Sequence, residues 1–150
     1  MKILADLDAG KKEALMQFVR YGLVGVLNTV VTLVVIFVCK SLLGVNDYVS
    51  NAIGYVAGVI NSFIWNRQFV FHSHGRLSRE MTLFLIGFGI CYCVQFAIVW
   101  TINQSPFGTN EFDLGFFVIS GYGVATLIGM VGYTICNFIY NRCIAFKKAP

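Results

Sequence analysis

Charged residues are scarce in this sequence. Asp, Glu, Lys and Arg make up 12% of its 150 residues, whereas about 25% is usual in soluble proteins. Hydrophobic residues make up 57% and the mean hydropathy is +0.74. This scarcity excludes an ordinary soluble domain and indicates an integral membrane protein.

Acidic residues are missing from the interior of every long apolar stretch. All seven carboxylates lie outside these stretches or at their edges: Asp6, Asp8, Glu13, Asp47, Glu80, Glu111 and Asp113. Proton relays in transporters use Asp, Glu or His inside the membrane. The sequence therefore argues against a proton-coupled exporter, including a small dimeric drug exporter.

The motifs of common enzyme classes are also missing. The chain has no Walker A loop, no G-x-S-x-G, no H-E-x-x-H and no carboxylate pair at glycosidase spacing. Gly121-Tyr122-Gly123 is followed by Thr126, where a dinucleotide fingerprint requires glycine. We expect a protein that is not an enzyme and uses no cofactor.

Cysteine and histidine patterns give no metal or disulfide prediction. The five cysteines contain no C-x-x-C pair, so we interpret them as small apolar side chains: Cys39, Cys91, Cys93, Cys136 and Cys143. His72 and His74 could supply two metal ligands, but no third or fourth ligand lies nearby. A solvated loop is the favoured interpretation, and no metal site is predicted.

Four apolar stretches are long enough to cross a membrane. They cover about residues 18–40, 48–66, 81–103 and 115–141. At about 1.5 Å per residue, each spans a hydrocarbon core of about 30 Å. Continuous apolar runs also exclude a membrane β-barrel, which needs alternating segments of about ten residues. We predict an all-α membrane protein with four transmembrane helices in one domain, 18–147. Residues 1–17 are a cytoplasmic segment suited to an interfacial helix, and 148–150 are a cytoplasmic tail.

Basic residues cluster on one side of the predicted membrane. Of the eleven Lys and Arg, only Lys40 falls on the opposite side. Positive residues stay in the cytoplasm, so both termini are predicted to be cytoplasmic. The net charge of +4 is explained by this topology and by contact with anionic lipid headgroups, and it requires no nucleic acid.

One motif occurs twice, at the end of the second apolar stretch and again at the end of the fourth. Residues 63–71 read F-I-W-N-R-Q-F-V-F and residues 138–146 read F-I-Y-N-R-C-I-A-F. A duplicated two-helix hairpin would explain the repeat, although the first span aligns poorly with the third. Such a parallel repeat would bring both Asn-Arg motifs to the same, cytoplasmic, membrane surface.

Small residues recur at i, i+4 spacing in the second and fourth helices. They are Ser50, Gly54, Gly58 and Ser62 in one helix, and Gly121, Ala125 and Gly129 in the other. Such stripes allow close helix packing in lipid, and the two helices are candidates to pack against each other.

The repeated Asn-Arg pairs have two interpretations. If the second and fourth helices pair, Arg67 and Arg142 lie close together with Asn66 and Asn141 beside them. Guanidinium groups suit bidentate binding of a phosphate. The alternative is ordinary anchoring of helix ends by aromatic residues and snorkelling arginines. Both interpretations stay open.

Four amides lie deeper in the predicted spans: Asn28, Asn61, Asn137 and Gln95. A buried amide is costly in hydrocarbon unless it finds a partner, so each should face the bundle or a wet cavity. They could serve only to hold helices together, or they could form a polar seam wide enough for a hydrated group.

These motifs resemble a known family. V-G-V-L-N-T (24–29) after F-V-R-Y-G (18–22), N-S-F-I-W-N-R-Q-F-V-F (61–71) and N-F-I-Y-N-R-C-I-A-F (137–146) resemble the GtrA-like family of small four-span bacterial membrane proteins. The resemblance covers about residues 15 to 148. It implies a role in cell-surface polysaccharide synthesis, in which an undecaprenyl-phosphate-linked sugar is flipped from the cytoplasmic to the outer leaflet of the inner membrane.

The resemblance also implies roles for individual residues. Arg67 and Arg142 would hold the lipid phosphate beside Asn66 and Asn141, assisted by Arg20 or Arg79. The sugar path would be lined by Asn28, Asn61, Asn137 and Gln95. The transfer of roles is strongest for Asn28, Asn61, Asn66 and Arg67.

The expected partners are the polyprenyl-phosphate-linked sugar, membrane lipid and glycosyltransferases of the same pathway. A four-helix bundle of 150 residues encloses little volume, which favours a homo-oligomer. A different class of function stays open, namely an accessory subunit that docks on a membrane glycosyltransferase through its aromatic and small-residue faces.

Overall fold

The computed structural model describes residues 2–106, 111–113 and 118–147, and the side chains of residues 10–106 and 120–147. Its elements in chain order are α1 (Lys2–Phe37), π1 (Val38–Leu42), α2 (Asp47–Trp65), π2 (Asn66–Val70), α3 (Leu77–Asn103), β1 (Glu111–Asp113), β2 (Val118–Ser120), α4 (Gly121–Tyr140) and π3 (Asn141–Ala145). The π segments are single wide turns that continue the helix before them. The predicted helical class is therefore confirmed.

Three helices are long and apolar enough to cross a membrane. They are Gly10–Leu42, Leu77–Asn103 and Gly121–Ala145 in the described part of the chain. Large apolar side chains such as Leu23, Val26 and Leu33 are exposed on them, as expected where lipid is the solvent. The helix α2 is not among the three, because its 19 residues include Asp47, Asn51 and Asn61. The fourth predicted span stays a prediction.

The first helix is longer than the first predicted span. It has 36 residues from Lys2 to Phe37, so residues 2–17 continue the helix that the apolar stretch forms. This segment has no proline and includes the strong helix formers of K-K-E-A-L-M-Q (11–17). At about 1.5 Å per residue the helix is about 54 Å long, more than a hydrocarbon core of about 30 Å requires.

Side-chain caps fix the starts of two helices. Asn46 Oδ1 accepts a hydrogen bond from Tyr48 N (2.9 Å) at the start of α2, and Ser120 Oγ accepts one from Gly123 N (3.1 Å) at the start of α4. Each cap satisfies one backbone donor that the first turn leaves free.

The fourth helix begins at Gly121, later than the apolar stretch from about residue 115 suggests. Residues Val118–Ser120 form strand β2 instead, which pairs with β1 in antiparallel register, Glu111 opposite Ser120 and Asp113 opposite Val118. A short apolar run does not by itself distinguish a strand from a helix. Residues 114–117 lie outside the described part of the chain.

The chain divides into two compact units, one up to His74 and the other from Gly75. In the first unit α1 packs on α2, and in the second α3 packs on α4. Each unit is therefore a helical hairpin that ends in a wide turn on an Asn-Arg motif, π2 or π3.

The glycine stripe of each hairpin packs on the helix that precedes it. A Cβ at Gly54 would lie 3.0 Å from the Thr32 carbonyl oxygen and would collide with Ile36, and one at Gly58 would collide with the Thr32 hydroxyl. In the second unit Gly129 packs against Val99 of α3 in the same way. The predicted close packing thus occurs within each hairpin, and packing of α2 against α4 stays a prediction.

The two hairpins share one register of contacts. Asn28 meets Asn61, 33 residues later, and Cys91 meets Cys136, 45 residues later. Equivalent contacts are therefore twelve residues further apart in the second unit, whose loop contains β1 and β2. The helices α1 and α3 thus correspond at a smaller offset than α2 and α4 do. A sequence alignment at the offset that matches the two Asn-Arg motifs therefore does not align α1 with α3.

Replacement of Gly54 by valine should weaken the first hairpin. The new side chain meets the backbone of Thr32, which cannot move aside as a flexible side chain can, and overpacking typically costs about 1–3 kcal/mol. We expect Gly54→Val to lower the thermal unfolding midpoint of the detergent-purified chain.

The matched control is Gly22→Val, because a Cβ at Gly22 has nothing within 4 Å. Equal losses for the two variants would mean that close packing of α1 on α2 does not stabilise the fold.

Candidate functional site

Each Asn-Arg motif forms a wide turn at the end of a helix. Phe71 N donates to Asn66 O (2.9 Å), and Phe146 N donates to Asn141 O (2.8 Å). These bonds join residues five apart, one more than in an α-helix, and π turns of this kind occur frequently at functional sites. The predicted repeat thus reproduces the same backbone geometry at both of its copies.

The asparagine of each motif is turned back towards its own helix. Asn66 Nδ2 donates to the carbonyl oxygen of Ser62 (2.8 Å) and to its Oγ (3.1 Å). Asn141 Nδ2 donates to Asn137 Oδ1 (3.2 Å). Ser62 and Asn137 each stand four residues before the asparagine that they bind, so the two copies use equivalent positions. Asn66 and Asn141 are only 2% and 0% exposed.

The arginines of the motifs lie beside these buried amides. Arg67 and Arg142 follow directly in the chain and are half-buried. The Arg142 guanidinium makes no ion pair or hydrogen bond within the described part of the chain. A cation in that position attracts an anion from outside the chain, and its planar fork suits a phosphate.

A third arginine joins the turn of the first unit. The Arg20 guanidinium of α1 lies over the ring of Phe69, 5.4 Å from its centroid, and Phe69 belongs to π2 together with Arg67. The first hairpin therefore carries two guanidinium groups at the same end. Arg79 is exposed in the first turn of α3 and belongs to the second unit.

The amides predicted to line a sugar path divide between the units. Asn61 Nδ2 donates to Asn28 Oδ1 (3.0 Å) and links α2 to α1. Asn137 lies in a ladder along α4, in which its Nδ2 donates to Tyr133 Oη (3.3 Å) and its Oδ1 accepts from Asn141. Gln95 is half-buried on α3 and packs against Gly129. One path through all four amides stays a prediction, as does one phosphate site shared by Arg67 and Arg142.

Sequence reasoning missed several residues of the site. Ser62 was predicted only as a small packing residue and Tyr133 was not singled out, although both stand four residues before an amide of the site and hence on the same helix face. Glu80 was assigned to the edge of a span, but it is only 2% exposed, and a Cβ at Gly75 would collide with its carboxylate. A carboxylate in the first turn of a helix is stabilised by the helix dipole.

The position of the Asn28–Asn61 contact is taken by two thiols in the second unit. The Cys91 and Cys136 sulfurs lie 3.1 Å apart, and both cysteines are free. A thiol is only a weak hydrogen-bonding group, so this contact is less polar than the amide pair of the first unit.

The Asn28–Asn61 hydrogen bond should couple the stabilities of α1 and α2. We expect Asn61→Leu to destabilise the chain because it leaves Asn28 Oδ1 without its donor, and Asn28→Leu to do the same to Asn61. The double variant should recover part of the loss, with a coupling energy of about 0.6–1.7 kcal/mol as for other hydrogen bonds in membranes. Unfolding in a double-mutant cycle measures this term, and strictly additive losses would contradict the contact.

Comparison with known proteins places the chain in a family. The sequence matches the family described as "GtrA/DPMS, transmembrane domain" over residues 20–146, a segment that contains both Asn-Arg turns. No solved structure matches it.

Named relatives cover nearly the whole chain. The chain is 28% identical over 133 residues to the "Bactoprenol-linked glucose translocase" of Shigella phage SfII, a match that covers 88% of this chain and 96% of the relative. It is 27% identical over 132 residues to the protein of the same name from Shigella phage SfX. It is 25% identical over 132 residues to the "Prophage bactoprenol-linked glucose translocase homolog" of Escherichia coli K12. Each of these two matches covers 88% of this chain and 96% of the relative. Since the family match extends from the middle of α1 to the end of the second Asn-Arg turn, this protein belongs to the GtrA/DPMS transmembrane domain family.

Proposed function

We propose that this protein moves a polyprenyl-phosphate-linked sugar from the cytoplasmic to the outer leaflet of the bacterial inner membrane, for glycosylation of a cell-surface polysaccharide. The lipid would be undecaprenyl phosphate. Relatives of nearly the same length carry the name bactoprenol-linked glucose translocase, and a translocase is a transporter rather than an enzyme.

The observation that carries this proposal is the repeated wide turn. Two equivalent turns each place a buried asparagine amide next to a half-buried arginine. Ordinary anchoring of a helix end needs only an arginine that reaches the interface, and it explains neither the buried amide nor its equivalent hydrogen bond in both copies. A site for a lipid headgroup, which needs both a cation and polar side chains, accounts for this combination.

The chemistry of the cargo fits the composition of the two hairpins. A polyprenyl-phosphate-linked sugar has one anionic phosphate, an apolar tail that stays in lipid and an uncharged polar head. Arginine forks would hold the phosphate, and the amides of Asn28, Asn61, Asn137 and Gln95 would offer hydrogen bonds to the head as it passes. Consumption of the sugar on the outer side would give the direction.

The proposed topology has four membrane crossings and both termini in the cytoplasm. The helix α2 and the turn π2 together extend from Asp47 to Val70, and at about 1.5 Å per residue the 19 residues of α2 alone give about 28 Å. The shared contact register of the two units supports duplication of one hairpin. A homo-oligomer and a complex with glycosyltransferases of the pathway are part of the same proposal.

Arg142 offers the sharpest test of phosphate binding, since its guanidinium has no partner in the described part of the chain. In vesicles that contain the purified protein, we expect Arg142→Ala to slow the transbilayer movement of labelled polyprenyl-phosphate glucose by tenfold or more. Hydrogen bonds to charged groups contribute about 1.5–3 kcal/mol, which corresponds to about tenfold to a hundredfold. Arg142→Lys should retain part of the rate, because lysine keeps the charge and loses the fork.

The matched control is Arg76→Ala, because Arg76 is exposed in the loop before α3 and belongs to no part of the proposed site. If Arg142→Ala transports as fast as the wild type and the Arg76 variant, the arginine only anchors the helix and the proposal fails.

A further inference from the structure

Three buried side-chain oxygens have no hydrogen-bond partner in the described part of the chain. They are Gln17 Oε1, Asn66 Oδ1 and Asn141 Oδ1. All three are amide oxygens, which accept hydrogen bonds and cannot donate them. Asn66 and Asn141 lie at equivalent positions of the two turns, so the same unsatisfied acceptor occurs in both hairpins.

The amide nitrogens of Gln17 and Asn66 are already committed. Gln17 Nε2 donates to Glu13 Oε1 (3.2 Å), and Asn66 Nδ2 donates twice to Ser62 (2.8 and 3.1 Å). A rotation of either amide by half a turn would exchange its oxygen and nitrogen and would bring two acceptors together. The nitrogen contacts therefore fix the direction of each oxygen, and only a hydrogen-bond donor can satisfy it.

Both oxygens of the first unit lie at the end that carries its guanidinium groups. Gln17 stands one helical turn before Arg20, and Arg20 contacts Phe69 of π2. The turn π2 starts with Asn66 and includes Arg67. This end of the hairpin thus combines two cations with two buried acceptors.

The two kinds of group require different parts of a ligand. A phosphate has acceptor oxygens, which suit the guanidinium groups and cannot serve the amide oxygens. The acceptors need hydroxyl or ammonium hydrogens. A phosphorylated polyol, with one anionic group and several hydroxyl donors, offers both.

We propose that Gln17 Oε1 and Asn66 Oδ1 accept hydrogen bonds from hydroxyl groups of the sugar, while Arg20 and Arg67 bind the phosphate. This inference rests on the proposed function and adds to it a division of labour within the headgroup site. It assigns a role to Gln17, for which the sequence alone predicts none, and it moves Asn66 from phosphate binding to sugar binding. Asn141 is the corresponding acceptor of the second unit. Both oxygens are covered, so the hydroxyl enters when the turn π2 at the end of α2 opens locally, as helix ends do at low free energy.

The test compares three ligands on the purified protein in detergent. The probes are polyprenyl phosphate, polyprenyl-phosphate glucose, and mixed micelles of phosphatidylethanolamine and phosphatidylglycerol, whose headgroups also supply ammonium and hydroxyl donors. The variants are Gln17→Leu and Asn66→Leu, which remove one acceptor each. The control is Gln68→Leu, because Gln68 belongs to the same turn and is exposed.

We expect Gln17→Leu and Asn66→Leu each to weaken the binding of polyprenyl-phosphate glucose about threefold to tenfold, as loss of one hydrogen bond does. Binding of bare polyprenyl phosphate and of phospholipid should change less than about twofold, and Gln68→Leu should change none of the three. If Asn66→Leu does not fold, Gln17→Leu gives the decisive comparison, since Gln17 belongs to α1 and makes no hydrogen bond that holds the turn π2.

The inference is wrong if the variants weaken both polyprenyl lipids equally, if they weaken neither, or if they weaken phospholipid binding to the same extent. Those outcomes leave lipid-phosphate binding by the arginines intact. If the wild type binds both polyprenyl lipids no better than phospholipid, the proposed function fails, and this inference fails with it.

Discussion

The hydrogen bond from a buried asparagine amide to the residue one turn earlier is the interaction on which the candidate site depends. Asn66 binds Ser62 and Asn141 binds Asn137, and each bond lies where the helix widens into a π turn. In an apolar solvent an unpaired amide nitrogen is costly, so the bond keeps the asparagine pointing inward. The arginine that follows it then lies at the edge of the helix, where it can meet a lipid phosphate.

Close backbone contact provides the rigid support for this arrangement. Between helices in lipid there is little hydrophobic driving force, so packing and internal hydrogen bonds must hold them together. Gly54 allows α2 to approach the backbone of Thr32 in α1. Gly129 in the same way allows α4 to approach α3. The Asn28–Asn61 hydrogen bond links α1 to α2 between the glycine contacts and the turn π2. These contacts hold α2 on α1 and α4 on α3, and so position each turn.

Much of this was predictable because it depends on spacing. The repeated Asn-Arg motif located two equivalent helix ends, although not the wide turns that form there, and the i, i+4 glycines marked the packed face of each helix. The correspondence of α1 with α3 was not predictable, because the loop with β1 and β2 lengthens the separation between equivalent contacts. A sequence also does not show how a side-chain amide is oriented. Only the structure shows that the Asn66 amide nitrogen donates a hydrogen bond while its oxygen accepts none. Gln17 lacked a signal because it precedes the apolar stretch in a polar segment.

The central claim is that both Asn-Arg turns face the cytoplasmic leaflet. Gln68 and the native Cys143 are exposed, and each directly follows the arginine of its motif, Arg67 or Arg142. In a chain whose other native cysteines are replaced by alanine, Gln68→Cys and Cys143 can each be labelled with a membrane-impermeant maleimide. We predict that both sites react in inside-out vesicles and are protected in right-side-out vesicles. Reaction of the two sites from opposite sides of the membrane would contradict the account.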